Sequence, residues 1–399
     1  MSKNSLINIK PKVKDNIIKD ENFSNSRRNT FLLGTKGIDE TICNLIKKNF
    51  ELENNLSLKD KAIVLKVLKS YKKIASNESL NEDEFVLTKH EINEFLSLEK
   101  KNILRYVVYR YKYIQYPKLK ILEEYPPNIQ IEPTSLCNLR CIMCYQSDKS
   151  FSSKSAGFMG YMKLDLLKKI IDEIEGKIEA VTFASRGEPT LHGDLDEFLK
   201  YCDGKFLGLK LNTNATLLNE KKINSLLSSD LQSLVLSIDE KNKENYEKIR
   251  VNAKFETIMK NLDLLKNIRE KNYKNSKLKI RISGVKINTD QNIEEMNKFY
   301  NEFADEIVLV DYDPWESAYE NSENSIDDEC SELYRRMFVW HDGKVNPCDY
   351  DYKSMLSKWN ANKDTIRSIW NSDYYNNIRN LHKSKERKKI EPCKRCVST

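Results

Sequence analysis

Beyond Pro127 the chain alternates between short apolar runs and segments of helical periodicity, and this alternation limits its fold more than any other feature. The apolar runs fall at 129–132, 180–184, 207–212, 233–238, 278–287 and 306–310; stretches such as 164–174 and 255–272, with apolar residues at helical spacing, separate most of them. Strands separated by helices pair in parallel through right-handed crossovers, with the helices packed outside the sheet. Six such strands predict an α/β architecture whose chemistry collects at the carboxyl ends of the strands. A chain of 399 residues has room for one barrel-sized domain and one or two smaller units.

The first of these strands leads into Cys137-Asn-Leu-Arg-Cys141-Ile-Met-Cys144, which offers three thiolates from one loop. Structural zinc sites draw on paired CxxC elements, so this spacing suits zinc poorly. A four-iron cluster held by three cysteines leaves one iron open to a small molecule, whereas electron-carrying ferredoxins close every iron with Cys. The amino terminus, Met1-Ser-Lys-Asn-Ser-Leu, lacks a signal-peptide core, so the nine cysteines read as metal or redox ligands of a cytoplasmic protein rather than as disulfides. A mean hydropathy of −0.65 and the lack of a long apolar run predict no membrane span. The net charge of +7 arises from 67 basic and 60 acidic residues that are interleaved, which describes a solvated surface and not a nucleic-acid footprint.

Residues 1–30 are polar and aperiodic and are expected to be disordered. Residues 31–125 read as a helical extension, with helical spacing over 56–68 and again from Thr88 or Glu91 to Val108, before Pro117 and Pro126-Pro127 punctuate the entry to the domain at 126–318. The remainder, 319–399, carries Cys330, Cys348, Cys393 and Cys396. Cys43 and Cys202 sit among apolar residues and are expected to be buried structural thiols. His341, in the turn-like Trp340-His-Asp-Gly343, and the basic run from Lys383 to Lys389 are expected to be exposed. The segment 311–316, Asp-Tyr-Asp-Pro-Trp-Glu, suits either a polar substrate or packing on the last domain.

The Cys137–Cys144 loop resembles the signature of the radical S-adenosylmethionine (radical SAM) enzymes. In that family the open iron chelates the amino and carboxylate groups of SAM, the reduced cluster splits the sulfonium, and a 5′-deoxyadenosyl radical takes a hydrogen atom from substrate. The resemblance implies a partial (β/α)6 barrel, an open relative of the TIM barrel. Ser185-Arg186-Gly187-Glu188-Pro189 is similar to the family's GGEP motif, which assigns Glu188 to the SAM amino group. Arg186 replaces its first glycine, and a backbone position that needs positive φ would resist Arg. Thr213-Asn214-Ala215 resembles the family's Thr-Asn-Gly turn, where Asn214 serves either as a SAM contact or as an Asx turn for the backbone alone. By the same match Ser237 and Arg250 correspond to contacts of the SAM ribose and carboxylate, and Asp239 faces the substrate as the catalytic candidate. A guanidinium suits a carboxylate, although an Arg at a helix end also complements the helix dipole without any ligand.

Cys330, Gly343, Cys348 and the Cys393-Lys-Arg-Cys396 pair resemble the SPASM and twitch extensions that bind auxiliary clusters; residues considered alone, four thiolates also make a zinc site. With no cysteine after Cys396, one auxiliary cluster with four protein ligands is expected, the twitch arrangement, either passing electrons or holding the fold. The implied cofactors are SAM and two 4Fe-4S clusters, with flavodoxin or ferredoxin as electron donor. The expected reaction is hydrogen abstraction from a polar, carbohydrate-like substrate, leading to dehydrogenation or epimerisation. The helical extension favours this over a peptide-modifying maturase, the second reading. A non-enzymatic iron-sulfur or zinc protein is the alternative of another class.

Overall fold

The computed structural model describes residues 36–52, 56–287 and 291–397, so the expected disorder of 1–30 lies outside the described residues. Among the described residues the extension folds as four α-helices: α1 (Lys36–Leu52), α2 (Leu58–Ala75), α3 (Lys89–Leu96) and α4 (Ile103–Leu119). Each start has a local cause. The Ser57 side chain accepts from the Asp60 N–H at the start of α2, and Thr88 and Glu91 form a reciprocal capping box on α3. Ile42, Val64, Val67, Tyr71, Phe95 and Val107 pack together into a core of their own, which reaches the barrel through Ala180. Arg105 of α4 ties this unit to the barrel by ion-pairing with Glu179.

Strands β1 (Asn128–Ile131), β2 (Ala180–Phe183), β3 (Gly208–Thr213), β4 (Ser233–Ser237), β5 (Lys279–Lys286) and β6 (Glu306–Asp311) lie in sequence order, each parallel to the next. The helices Leu164–Ile174 (α5), Leu195–Cys202 (α6), Glu220–Ser228 (α7), Lys243–Ile249 (α8), Phe255–Asn272 (α9) and Ile293–Tyr300 (α10) fill the crossovers. Side chains alternate along each strand. Leu209, Leu211, Leu234, Leu236, Ile280 and Ile282 pack into the main core, while Lys210, Asn212, Ser233, Ser237 and Arg281 line the barrel's interior cavity. A polar inner face leaves room in the bore, unlike the apolar layers that fill closed barrels.

The sheet does not stop at the expected division between 318 and 319. Strand β7 (Arg336–Val339) pairs in parallel with the free side of β1, and the hairpin partner β8 (Lys344–Asn346) and the short β9 (Trp359–Asn360) extend the sheet to nine strands. Helices α11 (Ile366–Trp370) and α12 (Asp373–Lys383) follow. Arg387, within the basic run expected to be exposed, is instead buried, donating to the carbonyls of Cys393 at 3.2 Å and Cys396 at 2.9 Å. No helix among the described residues is long and apolar enough to cross a membrane.

Candidate active site

The loop after β1 brings Cys137, Cys141 and Cys144 to one end of the barrel cavity. Backbone bonds from Arg140 to the Val251 carbonyl (3.0 Å) and from Ile142 to the Ile249 carbonyl (3.1 Å) strap the loop to the end of α8. Two sulfurs already receive backbone donors, Leu139 N–H to Cys137 Sγ at 3.4 Å and Gln146 N–H to Cys144 Sγ at 3.5 Å. Burial pushes the Cys137 thiol up to about 12, with the nearby Glu188 carboxylate adding to it. Burial raises the Cys141 and Cys144 thiols as well. A bound metal reverses this, because coordination deprotonates a thiol outright.

Three strand ends supply the remaining groups. After β2, the backbone of Gly187 runs so close to the cysteine loop that a Cβ there would lie 2.2 Å from the Thr134 carbonyl oxygen. The Glu188 N–H bonds to the Leu136 carbonyl at 2.8 Å, fixing the crossing. Oε1 of Glu188 accepts from Thr190 N–H (3.0 Å), Thr190 Oγ1 (2.6 Å) and Thr213 Oγ1 (2.6 Å), and among the described residues Oε2 accepts only from Asn214 N–H (2.7 Å). A carboxylate oxygen can take a further donor, so Oε2 keeps capacity for an ammonium. Asn214 makes the Asx turn weighed for it and also turns its amide nitrogen toward the cysteine loop. Its Oδ1 accepts from Thr216 N–H at 3.0 Å in an Asx turn, while Nδ2 lies 4.0 Å from Cys137 Sγ and 3.0 Å from Asn138 Oδ1. Ala215 takes the positive φ, 62°, of the turn's missing glycine.

The substitution at Arg186 works differently from what its position suggests. Positive φ falls on Ser185 (125°), and Arg186 is buried, with Nε and Nη2 donating to Glu132 at 2.7 and 2.6 Å and Nη1 to the Tyr352 carbonyl at 2.9 Å. Its guanidinium lies 4.3 Å from the Trp340 ring and 5.4 Å from Phe151. His341, expected at the surface, packs in and places Nδ1 3.1 Å from Glu132. Burial alone would raise the Glu132 carboxyl, but Arg186 and His341 override it and hold the pKa at about 2.

Asp239 corrects another expectation. It is 0% exposed, its carboxylate is paired with Arg250 and accepts the Val285 N–H at 2.8 Å, and it does not line the cavity. It braces Arg250 from behind the cavity lining. Arg250 reaches past it to line the cavity with Ser237, with Nη1 3.7 Å from Cys141 Sγ. That contact is absent from any sequence pattern; a cation beside a cysteine ligand would have been the only hint. The cavity measures about 540 Å³, within the range of small-molecule sites. Among the described residues, three buried side-chain oxygens of cavity-lining residues lack hydrogen-bond partners: Ser185 Oγ, Asn212 Oδ1 and Gln146 Oε1. Orphaned atoms at a cavity wall fit a polar ligand.

The second cysteine group assembles from three segments. Cys330, Cys393 and Cys396 are close enough to Cys348 to raise its thiol further, after burial and the neighbouring Asp349. Tyr350 N–H donates to Cys348 Sγ at 3.3 Å. Tyr145, next to Cys144, stacks on Tyr352 at 5.0 Å, and Trp315 stacks on Tyr350 at 5.7 Å, so an aromatic layer joins the two cysteine groups. Trp315 thus packs the 311–316 segment on the last region and also lines the cavity. Cys202 is buried and Cys43 partly buried in their helices. Among the described residues no three His, Cys, Asp or Glu side chains converge as ligands of a single metal ion.

Residues 131–300 match the model of the radical SAM superfamily, and residues 330–397 match that of SPASM, an iron-sulfur cluster-binding domain. An AdoMet-dependent heme synthase of Methanosarcina barkeri is 32% identical over 142 residues, 35% of this chain and 39% of that protein. A tungsten-containing aldehyde ferredoxin oxidoreductase cofactor-modifying protein of Pyrococcus furiosus is 31% identical over 113 residues, 28% of this chain and 30% of that protein. Both alignments span well under half of the relative's length. Among solved structures, SuiB of Streptococcus suis, bound to its precursor peptide SuiA, is similar in fold, with a TM-score of 0.53, 16% identity, and coverage of 82% of this chain and 84% of that one.

Proposed function

Since the chain carries a radical SAM domain followed by a SPASM domain, we propose that it abstracts a hydrogen atom from a small polar substrate, and that the cavity described above is the active site. The observation that carries this reading is the joint placement of Cys137, Cys141, Cys144, Glu188, Asn214, Ser237 and Arg250 around one cavity. Cys137, Cys141 and Cys144 would hold a 4Fe-4S cluster with one open iron; Cys330, Cys348, Cys393 and Cys396 would hold a second, closed one. With SAM bound, the first cluster supplies one-electron cleavage of the sulfonium and a hydrogen-abstracting radical. The residues orient this chemistry. Oε2 of Glu188 would accept hydrogen bonds from the SAM ammonium, Ser237 and Asn214 would bond its polar edges, and Arg250, held by Asp239, would offer donors to its carboxylate. The N–H groups that donate to Cys137, Cys144 and Cys348 sulfurs would stabilise the more negative, reduced form of a cluster held there.

A carbohydrate-like metabolite suits the orphaned polar atoms and the volume of the cavity. Dehydrogenation or epimerisation follows from such a substrate, and flavodoxin or ferredoxin is the electron donor this reading calls for. Anaerobic reconstitution with iron and sulfide tests it. The expected outcome is about eight irons per chain and reductive formation of 5′-deoxyadenosine from SAM, both reduced in Cys141→Ala. Zinc alone, or clusters without SAM cleavage, would refute the reading.

A further inference from the structure

The amino-terminal end of the same cavity carries charge that the SAM contacts leave unused. Lys210, on the inner face of β3, lines the cavity opposite Thr182 of β2. Among the described residues it makes no hydrogen bond or salt bridge. The other cations on this wall are paired. Arg281 meets Glu306 at 2.6 Å, Arg336 meets Glu332 at 2.7 Å, and Arg110 of α4 meets Glu91. A cation placed there for structure alone would be expected to have a carboxylate of its own, because burying an unpaired ammonium is costly. Burial, followed by repulsion from Arg281 and Arg336, outweighs the attraction of the Glu306 and Glu94 carboxylates and lowers the Lys210 ammonium to about 8, which leaves it mostly cationic at neutral pH. Two residues up the strand on the same face, Asn212 Oδ1 is buried without a donor. Below, Glu94 of α3 and Tyr109, Arg110 and Tyr113 of α4 line the end of the cavity. Gly208 permits this close approach, since a Cβ there would stand 3.2 Å from the Tyr109 hydroxyl.

We propose that this end of the cavity is an anion subsite, in which a phosphate or carboxylate group of the substrate bonds to Lys210 while a neighbouring hydroxyl or amine donates to Asn212 Oδ1. The proposal rests on the reading of the cavity as the place where substrate sits. It gives the helical extension a role as the floor of the substrate site. It also narrows the substrate to a polar molecule bearing one anionic group.

The test uses the full chain and two probes, inorganic phosphate and acetate, against chloride at constant ionic strength. Acetylation of Lys210 by an amine-reactive ester is followed by peptide mass mapping. One of the probes is expected to slow it roughly tenfold at about ten times its Kd, with surface lysines unaffected. The preferred probe identifies the anionic group as phosphate or carboxylate. The same probe should raise the Tm of the wild type and of Lys210→Arg, but not that of Lys210→Met whose fold is verified by circular dichroism. Unprotected Lys210 at the highest anion concentration that leaves the fold intact overturns the proposal, as does an undiminished Tm rise in Lys210→Met. SAM cleavage by the wild type without substrate is measured separately. Cleavage without anion protection refutes the subsite alone, and anion protection without cleavage refutes the radical reading alone.

Discussion

Replacing Arg186 by the glycine of the motif that its position resembles would look like a repair in the sequence and should act as a lesion in the molecule. The pair Arg186–Glu132 is almost wholly shielded from water, at 2% and 0% exposure. Arg186→Gly would leave a buried carboxylate with His341 as its remaining side-chain partner, at a cost of about 3–5 kcal/mol. Urea denaturation should show that loss, and Arg186→Gly combined with Glu132→Gln should recover part of it. The pH dependence has a definite sign. The Glu132 carboxyl sits at about 2 in the folded chain, below its ordinary value, so its contribution is complete above about pH 4.5 and disappears as pH falls through 2. Wild type should therefore lose stability over that window more steeply than Glu132→Gln. Contacts of this kind were not legible in the sequence, because they join residues 54 positions apart, as the Arg250–Cys141 contact joins residues 109 apart. The cysteines and Glu188 were legible because their spacing within short loops carries the information. Asp239 was misread for the first reason, its role being decided by Arg250 and Val285 rather than by its own position.

Strands β1 to β6 were foreseeable from their apolar runs, since a strand that packs helices on one face must place apolar residues at every second position. The inward set could be listed from that same period. Strands β7 to β9 escaped because they are only four, three and two residues long, and because β7, on which the other two build, pairs with a strand some two hundred positions away. The extension's helices were foreseeable from their spacing, and their starts from local caps. At this scale the cap of α3 can be tested by itself. Thr88→Ala removes the side chain that accepts the Glu91 N–H and one half of the capping box, which should cost about 1 kcal/mol. Hydrogen exchange should quicken over α3 while the amides of β1 to β4 keep their protection. An equal acceleration across the barrel strands would show that the extension and the barrel unfold as one unit, contrary to their separate cores.

At the level of the whole molecule, the last region completes the barrel's sheet rather than sitting beside it. Strand β7 pairs with β1 at four positions, from Asn128↔Arg336 to Ile131↔Val339, and β1 is the strand that feeds the cysteine loop. Met337 and Val339 are fully buried in the main core, and the Tyr145–Tyr352 and Arg186–Tyr352 contacts add cross-links at the level of the site. A chain ended at residue 318 would expose the backbone N–H and C=O groups along one side of β1, an unpaired edge open to other chains. It would also leave Arg186 without the Trp340 face and Glu132 without His341. Such a chain should aggregate, or elute as oligomers in size-exclusion chromatography, and should fail to retain a cluster on Cys137, Cys141 and Cys144. The full chain with Cys393→Ala and Cys396→Ala keeps β7 in place and should hold that first cluster, giving about four irons in place of eight. If the truncated chain were monomeric and assembled the first cluster normally, the auxiliary region would be an independent appendage and the continuity of the sheet would have no consequence for the site.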